Sequence, residues 1–139
     1  MLERIGISLE DDLLRQFDRL IAEKGYANRS EAVRDLIRAE LVQRAWAEAK
    51  GREERVVVVT LVYDHDSSSL AQKLTRIQHE NHLAVVSSLH VHMDAHNCLE
   101  VIIVRGVSSK VKLIANTLLS TRGVKHGQLV STSTGRTLS

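Results

Sequence analysis

The sequence has a single cysteine, Cys98, and only four aromatic residues, Phe17, Tyr26, Trp46 and Tyr63. One thiol cannot form an internal disulfide, so it needs another explanation. So few rings disfavour recognition of single-stranded nucleic acid by base stacking. Long apolar runs are missing as well. No stretch approaches the ~18 consecutive apolar residues of a membrane span, and Met1-Leu2-Glu3-Arg4 lacks the apolar core of a signal peptide. A cytoplasmic location away from membranes is therefore expected. With 43% apolar and 26% charged residues among 139, the chain has a globular composition and room for one ordinary domain or two small ones.

The two halves differ in chemistry. Residues 1–54 carry ten Lys/Arg against twelve Asp/Glu, net −2. Residues 55–139 carry nine against five, net +4, and hold all seven histidines and the cysteine. This predicts a first domain over 1–50, a short glycine-bearing hinge over 51–54, a second domain over 55–133 and a tail over 134–139.

In the first half, Arg4-Ile5-Gly6-Ile7-Ser8-Leu9 alternates strictly. It predicts a strand with Ile5, Ile7 and Leu9 on one side and Arg4, Gly6 and Ser8 on the other. Glu10, Asp11 and Asp12 open a helix at its positive end. Leu13, Leu14, Phe17, Leu20 and Ile21 follow at helical spacing, and Gly25 stops the run. A second helix begins at Asn28-Arg29-Ser30, capped by Asn28 or Ser30. Its buried stripe is Ala32, Val33, Leu36, Ile37 and Leu41, and it continues past Trp46, a packing residue, to about Lys50, where Gly51 breaks it.

One strand and two helices in about 45 residues cannot bury a full core alone. Pairing the strand with its copy in a second chain solves this and gives a two-stranded antiparallel ribbon above four helices. Such a ribbon fits the major groove of DNA, with Arg4, Gly6 and Ser8 facing base edges. The amino end of the second helix, at Arg29 and Ser30, offers donors to a phosphate. The stretch resembles a ribbon-helix-helix DNA-binding domain. Gly25-Tyr26-Ala27-Asn28-Arg29-Ser30-Glu31-Ala32 is similar to the turn and second-helix start of NikR-type nickel-responsive repressors. The alternative is a dimerisation module that binds no nucleic acid.

In the second half, strands are predicted over 55–63, 83–93, 98–105 and 124–131, with helices over 67–81 and 108–121. The order βαββαβ is a ferredoxin-like (ACT-like) unit, so the whole chain is α+β. Alternation in the middle hairpin predicts that Leu83, Val85, Leu89, Val91, Leu99, Val101 and Ile103 face the helix-covered core. His90, His92, Cys98 and Glu100 would then share the uncovered face. Two imidazoles and a thiol converging there make a transition-metal site with room for one more ligand. His79, at the end of the first helix of this unit, is the candidate. Measured down the strand from about Leu83, His90 lies roughly 23 Å away at ~3.3 Å per residue, so His79 is expected to come from a neighbouring subunit.

Gln78-His79, His90-Val91-His92 and Cys98 match the high-affinity nickel motif of NikR-type repressors position for position. The resemblance covers nearly the whole chain. It implies a homotetramer, a dimer of dimers, with one square-planar Ni(II) per subunit held by His90, His92 and Cys98 of one subunit and His79 of another. Composition by itself does not select nickel over zinc or copper. Glu100 is a candidate acceptor for an imidazole N–H, with Gln78 as a further outer partner; a solvated edge is the alternative. The resemblance also implies a hard cation, described as potassium, at the domain junction near His126, held through Glu31 and Asp35. Pairing of those carboxylates with Arg34 or Arg38 is the alternative. It further implies a phosphate contact from Asp64-His65-Asp66-Ser67-Ser68. His65 and His82 are candidates for secondary metal sites, and His96 is read as a solvated turn residue.

The function implied is a nickel-responsive repressor of double-stranded operator DNA that controls nickel uptake. No oxyanion cradle or ordered triad surrounds Cys98, so no enzyme is expected. A metal-buffering oligomer and a small-molecule-sensing ribbon-helix-helix regulator are the alternatives.

Overall fold

The computed structural model describes residues 1–48 and 52–139. The expected helix end at Lys50 and the break at Gly51 lie outside the described residues. The chain divides into two compact units, Met1–Glu40 and Leu41–Ser139.

The first unit has two helices, α1 (Asp11–Glu23) and α2 (Arg29–Glu48), the second of which continues into the next unit. Asp11 and Asp12 sit in the first turn of α1, where carboxylates favour the exposed N–H groups. Gly25 adopts φ +82°, and Tyr26 N donates to Ile21 O at 2.9 Å while Gly25 N donates to Ala22 O at 3.1 Å. This is the left-handed glycine cap that closes a helix. Asn28, rather than Ser30, caps α2: its Oδ1 accepts from Glu31 N at 2.9 Å.

The predicted strand over 4–9 does not form within one chain. Residues 1–10 carry no regular structure and are exposed, Ile5 by 76% and Ile7 by 61%. Leu36, Ile37 and Leu41 of the expected buried stripe are exposed too, and only Ile21 and Ala32 are buried in this unit. The physical reason is the one that made a second chain necessary: a ladder needs a partner strand, and a unit this small has no interior of its own.

The second unit is a four-stranded antiparallel sheet of order β2-β3-β1-β4, built from β1 (Glu54–Asp64), β2 (Val85–His92), β3 (Asn97–Val107) and β4 (His126–Thr132). Helices α3 (Ser68–Glu80) and α4 (Ser108–Leu119) pack against it. Leu70, Leu74 and Ile77 of α3 and Val111, Ile114, Ala115 and Leu118 of α4 meet Val57, Val59, Leu61 and Tyr63 of β1 in one core. Trp46 packs against that core, with Lys112 Nζ 5.3 Å from its ring centroid.

From Ser87 onward the facing of the hairpin is the reverse of expectation, whereas Val85, before a register shift, packs against the core as expected. The buried residues of β3 are Cys98, Glu100, Ile102 and Val104, and they pair across to Tyr63, Leu61, Val59 and Val57. Leu99, Val101 and Ile103 therefore turn to the opposite face, together with Leu89 and Val91 of β2. Both faces of β3 are apolar, so alternation could not say which one the helices cover; packing of α3 and α4 on the face of Val57, Val59, Leu61 and Tyr63 decides it.

Candidate metal centre

The turn at the tip of the β2–β3 hairpin is fixed by Asp94. Its Oδ1 accepts from His96 N and Asn97 N, both at 2.8 Å, and its carboxylate also accepts from Asn97 Nδ2. The Asn97 side chain, then the two backbone N–H groups, hold the Asp94 carboxyl well below the usual carboxylate range. The register so fixed sets His92 opposite Cys98 and His90 opposite Glu100. Tyr63 flanks Cys98 on its other side. His90, His92, Cys98 and Glu100 thus share one face as expected, but it is the helix-covered face, at its edge. His90 is 55% exposed on the outer strand, whereas Cys98 is 2% exposed.

Glu100, 1% exposed, joins the elements here. Oε1 accepts from Tyr63 Oη at 2.7 Å. Oε2 accepts from Gln78 Nε2 at 2.6 Å and Ser88 Oγ at 2.8 Å, and lies 3.4 Å from His90 Nε2. A buried carboxylate is tolerable only with this kind of donor set. Burial, then the bond to Glu100, pushes the Tyr63 phenol far above its ordinary range, so it stays protonated and donates. Tyr63 and Ser88 were not singled out in the sequence. Tyr63, an aromatic residue at the β1 end on the Cys98 face, was the available signal.

His79 lies on the exposed side of α3, lining a shallow groove with Ala71, Gln72, Thr75 and Arg76. The 23 Å separation expected from the strand path does not apply. Gln78, its neighbour, reaches Glu100, directly across from His90. Ala84 O, by contrast, accepts from Arg105 N, five residues further along β3. The helix end is therefore not the strand start. Among the described residues, no three His, Cys, Asp or Glu side chains of one chain are grouped to hold a metal ion. The donor set itself suits one: two imidazoles and a thiol on adjacent strands, with a carboxylate beside one imidazole.

The other histidines fall into three places. The His65 ring meets His92 edge-on, centroids 4.9 Å apart, and its Nδ1 is buried without a partner. His96 Nδ1 lies 2.8 Å from Asp66 Oδ2, which raises the His96 pKa above its ordinary value. His82 lies beside His79, ring centroids 6.3 Å apart. His126 is exposed at the start of β4.

In the first unit, Arg4, Gly6 and Ser8 lie in the exposed segment before α1, and Arg29 and Ser30 open α2. The Arg29 guanidinium forks Asp18 of α1, Nε to Oδ1 and Nη2 to Oδ2, both at 2.9 Å. Asp35 accepts from Tyr26 Oη at 2.7 Å and Arg38 Nη1 at 3.2 Å, so the expected alternative pairing with Arg38 is present. The Glu31 side chain is exposed.

Residues 56–132 match the family model of the NikR C-terminal nickel binding domain, and residues 3–44 that of ribbon-helix-helix proteins of the copG family. A protein of Anaeromyxobacter dehalogenans strain 2CP-C, named a nickel-responsive regulator, is 72% identical over 138 residues, 99% of each chain. One of Geobacter metallireducens, named likewise, is 59% identical over 135 residues, 97% of this chain and 96% of that one. The fold is also similar to that of an uncharacterized protein of Thermotoga maritima. That solved structure has TM-score 0.50 and 12% identity, over 57% of this chain and 98% of the other.

Proposed function

This chain belongs to the NikR family of nickel-responsive transcriptional regulators, and from that membership we propose that Ni(II) makes it bind operator DNA and repress nickel-uptake genes. The ligand set is His90, His92 and Cys98 of one subunit with His79 of another, one ion per subunit of a dimer of dimers. Domains run over 1–50 and 55–133, with a hinge at 51–54 and a tail at 134–139, in a cytoplasmic protein that acts as a regulator and catalyses nothing.

The observation that carries this reading is the bridge through Glu100. It ties Gln78 of α3 to the strand that bears His90. Gln78 and His79 are consecutive, so one holds the helix to its own sheet while the other faces outward, toward a partner's hairpin. Glu100 lies beside Nε2 of His90, which leaves Nδ1 as the donor atom. Ni(II) would be held by His90, His92 and Cys98 of one subunit and His79 of another, and would supply a bond between subunits. Exposed Leu89, Met93 and Val130 give the sheet unit apolar surface to bury in an assembly.

At the DNA, Arg4, Gly6 and Ser8 face bases from a ribbon completed by a second chain, and Arg29 and Ser30 meet phosphates. A potassium-like cation at Glu31 and Asp35 would share the Asp35 carboxylate with Tyr26 Oη and Arg38 Nη1. The test is binding of an operator, selected from random duplexes with the Ni(II)-loaded protein, in the presence and absence of Ni(II). Tighter binding with metal is expected, and reciprocity requires that DNA then tighten the metal by the same factor. Equal affinity with and without metal would contradict a sensing role.

A further inference from the structure

We propose that Asp18 is a positioning residue for DNA, holding Arg29 so that the free edge of its guanidinium meets a backbone phosphate. This rests on the DNA-binding reading above and names a residue that reading does not use. Asp18 lies on α1, and Arg29 is the first residue of α2. The fork takes Nε and Nη2 of Arg29 and both oxygens of Asp18. An arginine has five N–H groups, and the two on Nη1 make no hydrogen bond among the described residues. Asp18 and a phosphate therefore use different edges of the same guanidinium.

The pair is 58% and 44% exposed, so water competes for it and it adds little to stability. What it does provide is a single orientation for a side chain that otherwise has many rotamers, all but one of which must be given up on binding. The same helix start carries Ser30, whose backbone N–H is one of the unpaired donors of a first turn, whereas Glu31 N is already taken by Asn28. A phosphate approaching this end meets a helix terminus and a guanidinium already turned in place.

Removing the acidic charge of Asp18 would by itself favour DNA, so the sign of the effect is diagnostic. The experiment measures Ni(II)-loaded, full-length protein on a mixed-sequence duplex across a salt series, for Asp18→Asn, Asp18→Glu, Arg29→Ala and the Asp18→Asn/Arg29→Ala double variant. Asp18→Asn is expected to bind about two- to fivefold more weakly, the range an exposed pair supports, with a shallower salt slope. In the Arg29→Ala background the same change should not weaken binding, and Asp18→Glu should stay near wild type. Binding as tight as wild type, or an equal loss with and without Arg29, would overturn the proposal. So would unfolding of Asp18→Asn, which would assign the pair to the fold. A wild-type chain that binds no duplex would instead sink the DNA-binding reading, and this inference with it.

Discussion

Glu100 sits at 1% exposure in a core built mainly of apolar side chains, and it can remain there because Tyr63, Gln78 and Ser88 donate to it. Glu100→Ala would strand those three donors, at a cost of about 3 kcal/mol of stability in chemical denaturation. Glu100→Gln keeps an acceptor and should fold, yet bind Ni(II) roughly 10-fold more weakly in a chelator competition. A Glu100→Gln protein with unchanged metal affinity would detach Glu100 from the site. At the hairpin tip, Asp66 raises the pKa of His96 by hydrogen bonding first and by charge second. A histidine so raised contributes stability that is complete below its ordinary titration range and is lost as pH rises through the raised value. Thermal unfolding of wild type should therefore lose stability across that range, and His96→Asn should flatten that part of the profile. An identical profile in the variant would contradict the assignment.

At the scale of elements, the order βαββαβ and every helix stripe of the second unit were legible, because helical and strand periods separate cleanly there. Legible too was the sharing of one face by His90, His92, Cys98 and Glu100, since period-two alternation and a short turn fix relative facing whatever lies above or below. Which face the helices cover was not. Leu99, Val101 and Ile103 are as apolar as Ile102 and Val104, and only the side on which α3 and α4 pack distinguishes them. The nearness of the α3 end to Glu100 was hidden for a similar reason. The path from Gln78 to Ala84 carries the chain from beside Glu100 to beside Arg105, a displacement that no local pattern encodes. Turn chemistry was the more reliable signal. Gly25 holds φ +82° at the α1 cap, where a Cβ meets no neighbouring atom, so the penalty there is one of backbone conformation alone. Gly25→Ala is expected to cost about 1 kcal/mol, measured by denaturant unfolding. A neutral effect would mean that the cap re-forms in another conformation.

For the whole molecule, a single chain leaves apolar side chains in water on both units. Ile5, Ile7, Leu36 and Ile37 stand exposed in the first unit, and Leu89 and Val130 in the second, all of which a larger assembly would bury. We propose that the His90, His92 and Cys98 row and the outward His79 meet between chains, and the central claim is that a metal site closes only between subunits. Mixing two inactive variants tests this most directly. His79→Ala keeps an intact hairpin, and Cys98→Ala keeps an intact His79. Neither alone should show the thiolate-to-nickel absorption of the wild type on adding Ni(II). Subunits of both, dissociated and reassembled together, should recover part of it, because the hairpin of one then meets the His79 of the other. Absorption that stays absent in the mixed assembly, while each protein still folds and assembles, would contradict a site shared between chains.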